Sequence, residues 1–273
     1  MDVARYLDRI NFRGEIKPDI ATLTKLHQHH VFHIPFEALD VYYGIPVILN
    51  EQHLFCKIVE HRRGGYCYEV NELFARLLQK LGFAVHRISG RLASGNKFGR
   101  EFEHMALLVE IDRQQWLVDV GYGDFALQPL LITHGHIQND GHNEYRIQHG
   151  VVADGATYWQ TGKWNSIKLC FVTDYIFTTT PRSITHFEEM NRWKQTSGES
   201  KFRRTAICSI PTQSGRVSLV GNRLIITNNK EKEVQLLHSE ISKRVALQRY
   251  FNIHFPVDEM THPGGLANVR QAV

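Results

Sequence analysis

An α+β fold in three parts is what this sequence predicts: helical spacing dominates to about residue 83, strand-like apolar runs follow, and a mixed segment from about residue 193 ends in a helix. With 273 residues the chain can bury about three quarters of its unfolded surface, as one large domain or a few small ones. Neither an internal repeat nor a low-complexity segment interrupts it.

The elements follow in order. Ala4 to Ile10 and Asp19 to His30 carry helical spacing, and a further helical stretch begins at about Glu51. Next, Val70, Leu73, Phe74, Leu77, Leu78 and Leu81 recur at three- and four-residue steps, and Gly82 supplies the stop. Val85 to Ile88 begins the strand-rich part. The apolar runs from His104 to Ile111 and from Trp116 to Gly121, joined by the polar link Asp112 to Gln115, read as a hairpin. Tyr145 to Ile147 and Thr157 to Gln160 add strands. The last part holds strands from Thr205 to Ile210, Val217 to Val220 and Leu224 to Thr227. A terminal helix runs from Ser239, its N-cap, to Phe251, with Ile241 and Val245 among its apolar positions.

Bulk properties narrow the function. No apolar run approaches the ~20 residues a membrane span needs, and Met1-Asp2-Val3-Ala4-Arg5 lacks a signal-peptide pattern. Cys56, Cys67, Cys170 and Cys208 show neither metal-ligand spacing nor a dense disulfide framework, so a reducing cytoplasm is the expected location. The net charge of +4 is not gathered into a block and gives nucleic-acid binding little support.

Chemistry concentrates at Arg63-Gly64-Gly65-Tyr66-Cys67-Tyr68-Glu69-Val70-Asn71. Cys67 falls in the first turn of the helix, where unpaired N–H groups and the positive dipole end favour a thiolate. Gly64 and Gly65 allow a tight turn and leave room beside the sulfur for a substrate carbonyl. Taken alone, Cys67 also fits an ordinary buried cysteine. Downstream, Asp119 sits in an apolar strand, where a carboxylate is costly to bury unless partnered, and an imidazole N–H is a suitable partner. Folding back at the polar link brings Asp119 toward the His104 end, although the register stays open. His104 is one of sixteen histidines; together with Cys67 and Asp119 it completes a nucleophile, base and orienting acid.

Three lesser features have two readings each. His27, His29, His30 and His33 could coordinate a metal if helical, but a polar helix face is sufficient explanation, and no metal is expected. His134, His136 and His142 lie among glycines and look like loop residues. The basic stretch Ser94-Gly95-Asn96-Lys97-Phe98-Gly99-Arg100 is either a solvated hairpin loop or a phosphate contact close to His104.

The Cys67 run, His104-Met105-Ala106-Leu107 and Asp119-Val120-Gly121-Tyr122-Gly123 resemble the three signature segments of the arylamine N-acetyltransferases, in order and at similar spacing. Ile34-Pro35-Phe36-Glu37 and Gly215-Arg216-Val217-Ser218-Leu219 resemble two further family elements. Ala38 departs from the family's usual Asn, and Glu103 from a small or hydroxyl residue. The resemblance implies a helical bundle (1–83) carrying the nucleophile, a β-barrel (84–192) carrying His104 and Asp119, and an α/β lid (193–273), with a cysteine-protease-like core. It implies ping-pong transfer from acetyl-CoA to the nitrogen of arylamines or arylhydrazines, or to the oxygen of arylhydroxylamines, through an acetyl thioester on Cys67. It places Phe36 and Tyr122 at the aromatic acceptor, coenzyme A against the loop of Lys97, Gly99 and Arg100, and an Arg63–Glu37 pair under the Cys67 turn. A transglutaminase-like or peptidase-like cysteine hydrolase would use the same ordered triad and remains the alternative.

Overall fold

The computed structural model describes residues 1–95, 97–229 and 231–255; Asn96 of the basic loop and 256–273 of the third part lie outside the described residues. The N-terminal helices are α1 (Val3–Arg9), α2 (Ile20–His33), α3 (Leu39–Tyr43), α4 (Glu51–Phe55) and α5 (Cys67–Lys80). Their starts are chemically marked. Asp2, Asp19 and Asn50 each accept a backbone N–H from the first turn of α1, α2 and α4, at 3.1, 2.8 and 2.9 Å. The stripe Val70, Leu73, Phe74, Leu77 and Leu78 of α5 is fully buried, each side chain contributing about 1.5–3 kcal/mol relative to exposure. Gly82, at φ 89°, takes the left-handed turn that ends it.

Helix α2 runs three residues past the expected end, and its histidines do not form one polar face. His27 and His30 are fully buried in the helical core, where the Tyr6 hydroxyl meets His30 Nδ1 at 2.9 Å and Phe74 packs edge-on against the His30 ring. The i, i+3 and i, i+4 spacings therefore mix core and surface positions.

The central sheet contains β2 (Ala84–Ser94), β4 (His104–Ile111), β5 (Gln114–Val118), β6 (Leu130–Leu131), β7 (Ile137–Asn139), β8 (Glu144–Ala153), β9 (Ala156–Asn165) and β10 (Cys170–Phe177), with the short β3 (Lys97–Phe98) pairing back onto β2. Its order is β6-β5-β4-β2-β10-β9-β8-β7. The two edge strands are stitched by one side chain: Gln138 of β7 accepts from Leu131 N at 2.7 Å and donates to Leu131 O at 3.0 Å. The sheet is thereby a nearly closed barrel, with Ile88, Leu108, Leu117, Tyr145 and Phe177 in its core. Strand β10, which periodicity did not reveal, carries a register shift between Thr173 and Tyr175 that breaks its two-residue alternation. Within the stretch 94–100, Ser94 ends β2 and Lys97–Phe98 forms β3, with Ser94 opposite Lys97.

After a 3₁₀ turn at Ile184–Phe187, α6 (Glu188–Thr196) and α7 (Lys201–Arg204) lead into β11 (Ile207–Thr212), β12 (Gly215–Val220), β13 (Arg223–Asn228), β14 (Glu231–Leu236) and α8 (Glu240–Phe251). The outermost strand β14 is exposed throughout, with only Val234 and Leu236 as apolar residues on one face. Ala246, Leu247 and Phe251 seat α8 on Leu219 and Leu224, whereas Ile241 and Val245 face solvent. At the opposite edge, β1 (Phe36–Glu37) from the helical segment pairs with β11, Phe36 opposite Ser209. Among the described residues no helix is long and apolar enough to cross a membrane.

The glycines before Cys67 serve close packing and not left-handed turning. A Cβ on Gly64 would lie 1.9 Å from the Pro35 carbonyl oxygen, and one on Gly65 would lie 2.7 Å from Glu69 Cβ. The space they free is filled by the protein rather than kept for a substrate. Gly64→Ala is expected to lower stability by about 1–3 kcal/mol or more, because backbone must move to admit the methyl group. A denaturant midpoint equal to the parent's would remove this role.

Candidate active site

Cys67 is the first residue of α5 and 3% exposed. The Glu69 carboxylate accepts the Tyr66 N–H at 3.0 Å, closing the first turn beside the sulfur. Below the turn lies a buried charge network. Arg63 donates to Glu37 at 2.9 Å and to Asp40 at 2.7 Å, and the Lys57 ammonium sits 2.7 Å from both Asp40 and Glu69. The Arg63–Glu37 pair is present and belongs to this larger set. Burial pushes Glu69 up to about 7 against the pull of Lys57. Where the family has Asn, Ala38 offers no side-chain cap to α3, and the Glu37 carboxylate accepts the Leu39 N–H at 2.8 Å instead.

His104 opens β4, next to β5 in the hairpin, where Leu107 faces Val118. Asp119 follows just beyond the end of β5 rather than within it, and it is 1% exposed. Its Oδ2 lies 2.6 Å from His104 Nε2 and accepts from the Tyr175 hydroxyl at 3.0 Å. Its Oδ1 accepts from Asn71 Nδ2 at 3.0 Å and from Gly121 N at 2.9 Å. Four donors converge on one carboxylate, which offsets its desolvation. The His104 imidazole also acts on the Cys67 thiol, lowering the thiol's pKa as the thiol raises its own. Gly121 lets the turn press on Cys67, since a Cβ there would lie 2.7 Å from Cys67 Cα.

Electrostatics favour an ion pair. Burial alone would depress the His104 imidazolium, but the Asp119 carboxylate and hydrogen bonds to Asp119 and Cys67 bring its pKa to about 9. Burial alone would raise the Cys67 thiol; the Lys194 ammonium and His104 outweigh it and hold the thiol below its ordinary value. Asp119 stays below the usual carboxylate range, because His104 and its other donors outweigh burial. Both directions favour a thiolate facing an imidazolium.

Two spaces lie beside the triad's neighbours, one bordered by Asp119 and the other by Lys194. On one side, Phe36, Asp119, Tyr122, Gly123 and Phe125 line a narrow cleft closed by Arg216. Arg216 of the late Gly-Arg strand is 3.2 Å from Asp124 and also donates to the Gly123 carbonyl, fastening the C-terminal sheet to the turn that carries Tyr122. On the other side is a cavity of about 430 Å³ lined by Lys97, Gly99, Glu103, Lys194, Lys201 and Phe202 among others. Lys97 and Gly99 thus face a cavity that reaches Lys194 and, through it, Cys67. Arg100 does not line it; its guanidinium stacks 4.9 Å over the Trp193 ring. Sequence reasoning missed Tyr175, Lys194 and the role of Asn71. Only Asn71 left a trace, one helical turn after Cys67 on the same face.

A buried thiol paired with an imidazole that a carboxylate orients marks a thiol-nucleophile enzyme of the acyl-transfer or hydrolase class. The N-acetyltransferase family model matches residues 19–260. An arylamine N-acetyltransferase of Mycolicibacterium smegmatis is 35% identical over 234 residues, covering 83% of this chain and 82% of the relative. The Proansamycin X synthase of Amycolatopsis mediterranei (strain S699) is 30% identical over 256 residues, covering 91% and 96%. Among solved structures, the arylamine N-acetyltransferase from Mycobacterium abscessus superimposes with a TM-score of 0.88 at 26% identity, covering 95% of this chain and 92% of that one. The Mycobacterium marinum enzyme in complex with CoA gives 0.84 at 29% identity, covering 92% and 93%. The chain belongs to the arylamine N-acetyltransferase family, and it is an acetyltransferase with an α+β fold of helical N-terminus, barrel-like sheet and α/β C-terminal region.

Proposed function

We propose that this enzyme moves the acetyl group of acetyl-CoA to the nitrogen of an aromatic amine or hydrazine through a thioester on Cys67. The observation that carries the reading is the buried contact series Cys67, His104 and Asp119, in which Asp119 raises His104 to about 9 and the thiol is held low. In the first half, the Cys67 thiolate adds to the thioester carbonyl carbon, and the tetrahedral adduct expels the coenzyme A thiolate, which takes a proton from His104. In the second half, the amine adds to the Cys67 thioester, His104 accepts its proton, and the N-acetyl product leaves as the thiolate is restored. Asp119 holds the imidazole in the tautomer and orientation both halves need. The Cys67 backbone N–H, at the start of α5, serves as an oxyanion donor.

CoA binding is supported by the complex of the M. marinum neighbour and by the cavity beside Lys97 and Gly99. The nucleotide phosphates would meet Lys97 and Lys201 there, and the pantetheine arm would pass Lys194 to the sulfur. The acceptor would enter between Phe36, Tyr122 and Phe125, whose rings suit a flat aromatic amine; the cleft there is about 20 Å³ and would have to widen to admit it. A reducing cytoplasm would keep the thiol available.

The test is intact-protein mass spectrometry after mixing with acetyl-CoA. One acetyl group is expected on Cys67, stable in buffer and discharged by an aromatic amine with formation of the amide. Absence of the adduct under single-turnover mixing would overturn the thioester route. Discharge in buffer alone as fast as with amine would mark a hydrolase.

A further inference from the structure

Lys194 is the buried cation that the triad leaves unexplained. It lies on α6, whose Glu188, Glu189 and Arg192 are exposed, yet it is only 4% exposed itself. Its Nζ stands 3.9 Å from Cys67 Sγ and 2.5 Å from the Glu103 carbonyl oxygen, with the rings of Tyr68 and Phe202 facing it at 4.7 and 5.2 Å. A surface lysine ordinarily lays its stem on apolar groups and keeps its amine in water. This one does the reverse. The Tyr66 hydroxyl, donating to Asn191 one turn earlier, fixes α6 against the Cys67 turn and aims the side chain inward.

The charges account for the position. A thiolate and the Asp119 carboxylate are two buried anions, and imidazolium alone leaves the site one negative charge in excess. Lys194 supplies a second cation facing these two anions. Around the sulfur the other ionisable groups are the Tyr66 and Tyr68 phenols and the Glu103 carboxyl, while Lys201 faces Lys194 from α7. Burial lowers the Lys194 ammonium, and Cys67 and Glu103 act against that fall. Glu103, the departure noted beside His104, supplies the carbonyl that holds Lys194, and its own buried Oε2 has no hydrogen-bond partner among the described residues.

We propose that Lys194 is a further catalytic residue: with the His104 imidazolium it holds Cys67 as the thiolate, then donates a hydrogen bond to the acyl carbonyl oxygen as negative charge develops there. This rests on the thioester reading. Lys194 stays an ammonium throughout; the thiolate pair forms the new sulfur–carbon bond, the carbonyl pair moves to oxygen, and its return expels coenzyme A thiolate.

The test follows the pH dependence of Cys67 alkylation by iodoacetamide, mapped by peptide mass spectrometry, beside single-turnover acetylation by acetyl-CoA. For Lys194→Met, which keeps the length and suits the aromatic surroundings, the alkylation midpoint is expected to rise by about one to two pH units, so that alkylation below the midpoint slows roughly 10- to 100-fold. Lys194→Arg, still a cation, is expected to keep the parent midpoint. A Lys194→Met profile coinciding with the parent's would overturn the proposal even if acetylation of the parent proceeds. Failure of the parent to be acetylated would sink the thioester reading instead, whatever the midpoint does. Should Lys194→Met not fold, the unsubstituted protein decides: by lysine side-chain NMR, the Lys194 ammonium is expected to titrate at lower pH once Cys67 is alkylated. An unchanged titration would overturn the proposal.

Discussion

Cys67→Ser is expected to abolish acetyl transfer, with a loss of about 10³-fold or more and no acetyl adduct in the intact mass. The reason is ionisation. His104 and Lys194 draw a thiol below its ordinary value, but a serine hydroxyl is so much weaker an acid that the same two cations leave it protonated. The fold should survive, because the hydroxyl is smaller than the thiol and can hydrogen-bond in its place. Coincident melting curves with no adduct would fix the defect in chemistry. Turnover by the purified variant near the parent's rate would remove Cys67 from the nucleophile role.

Asp119→Asn is expected to slow thioester formation on the order of 10³- to 10⁴-fold. The parent carboxylate receives two donors on each oxygen: His104 and Tyr175 on one, Asn71 and Gly121 on the other. An amide has a single oxygen, so whichever way it turns, its NH₂ faces two donors. If the NH₂ faces His104, the imidazole is forced into the tautomer that presents a proton to the sulfur instead of accepting one. In either orientation the imidazolium loses its counter-ion, His104 falls from about 9, and the pair reverts toward thiol and neutral imidazole. The unpaired donors also cost stability, about 1–3 kcal/mol for each group left unsatisfied. Single-turnover acetylation of a variant shown to be folded separates the effects. A rate matching the parent's would make Asp119 a structural residue and reduce the site to a Cys67–His104 pair.

Much of this site was legible because its parts carry local signals. A glycine pair before an apolar stripe at helical spacing located the start of α5 and hence Cys67. Two apolar runs on either side of a polar link located the hairpin, and with it His104 and Asp119. Strand β10 was not legible, since its register shift breaks the alternation that marks a strand, and so Tyr175, its contribution to Asp119, was missed. The placing of Asp119 just past β5 explains its four donors: beyond the ladder the backbone turns, and Gly121 N can reach back to the carboxylate.

The sequence by itself determined the family, the candidate nucleophile with its two proposed partners, and most helix and strand positions, because propensity, capping and periodicity act within a few residues. Tertiary structure alone decided which groups surround the sulfur. Lys194 is 127 residues from Cys67 and has no local pattern to announce it; it matters only because α6 packs on the Cys67 turn. The same holds for Gln138, which joins the barrel edges, and for His27 and His30, which the fold buries while His29 and His33 stay partly exposed. Burial, counter-ions and hydrogen-bond partners set what a side chain does, and each is a property of distance in space rather than of spacing along the chain.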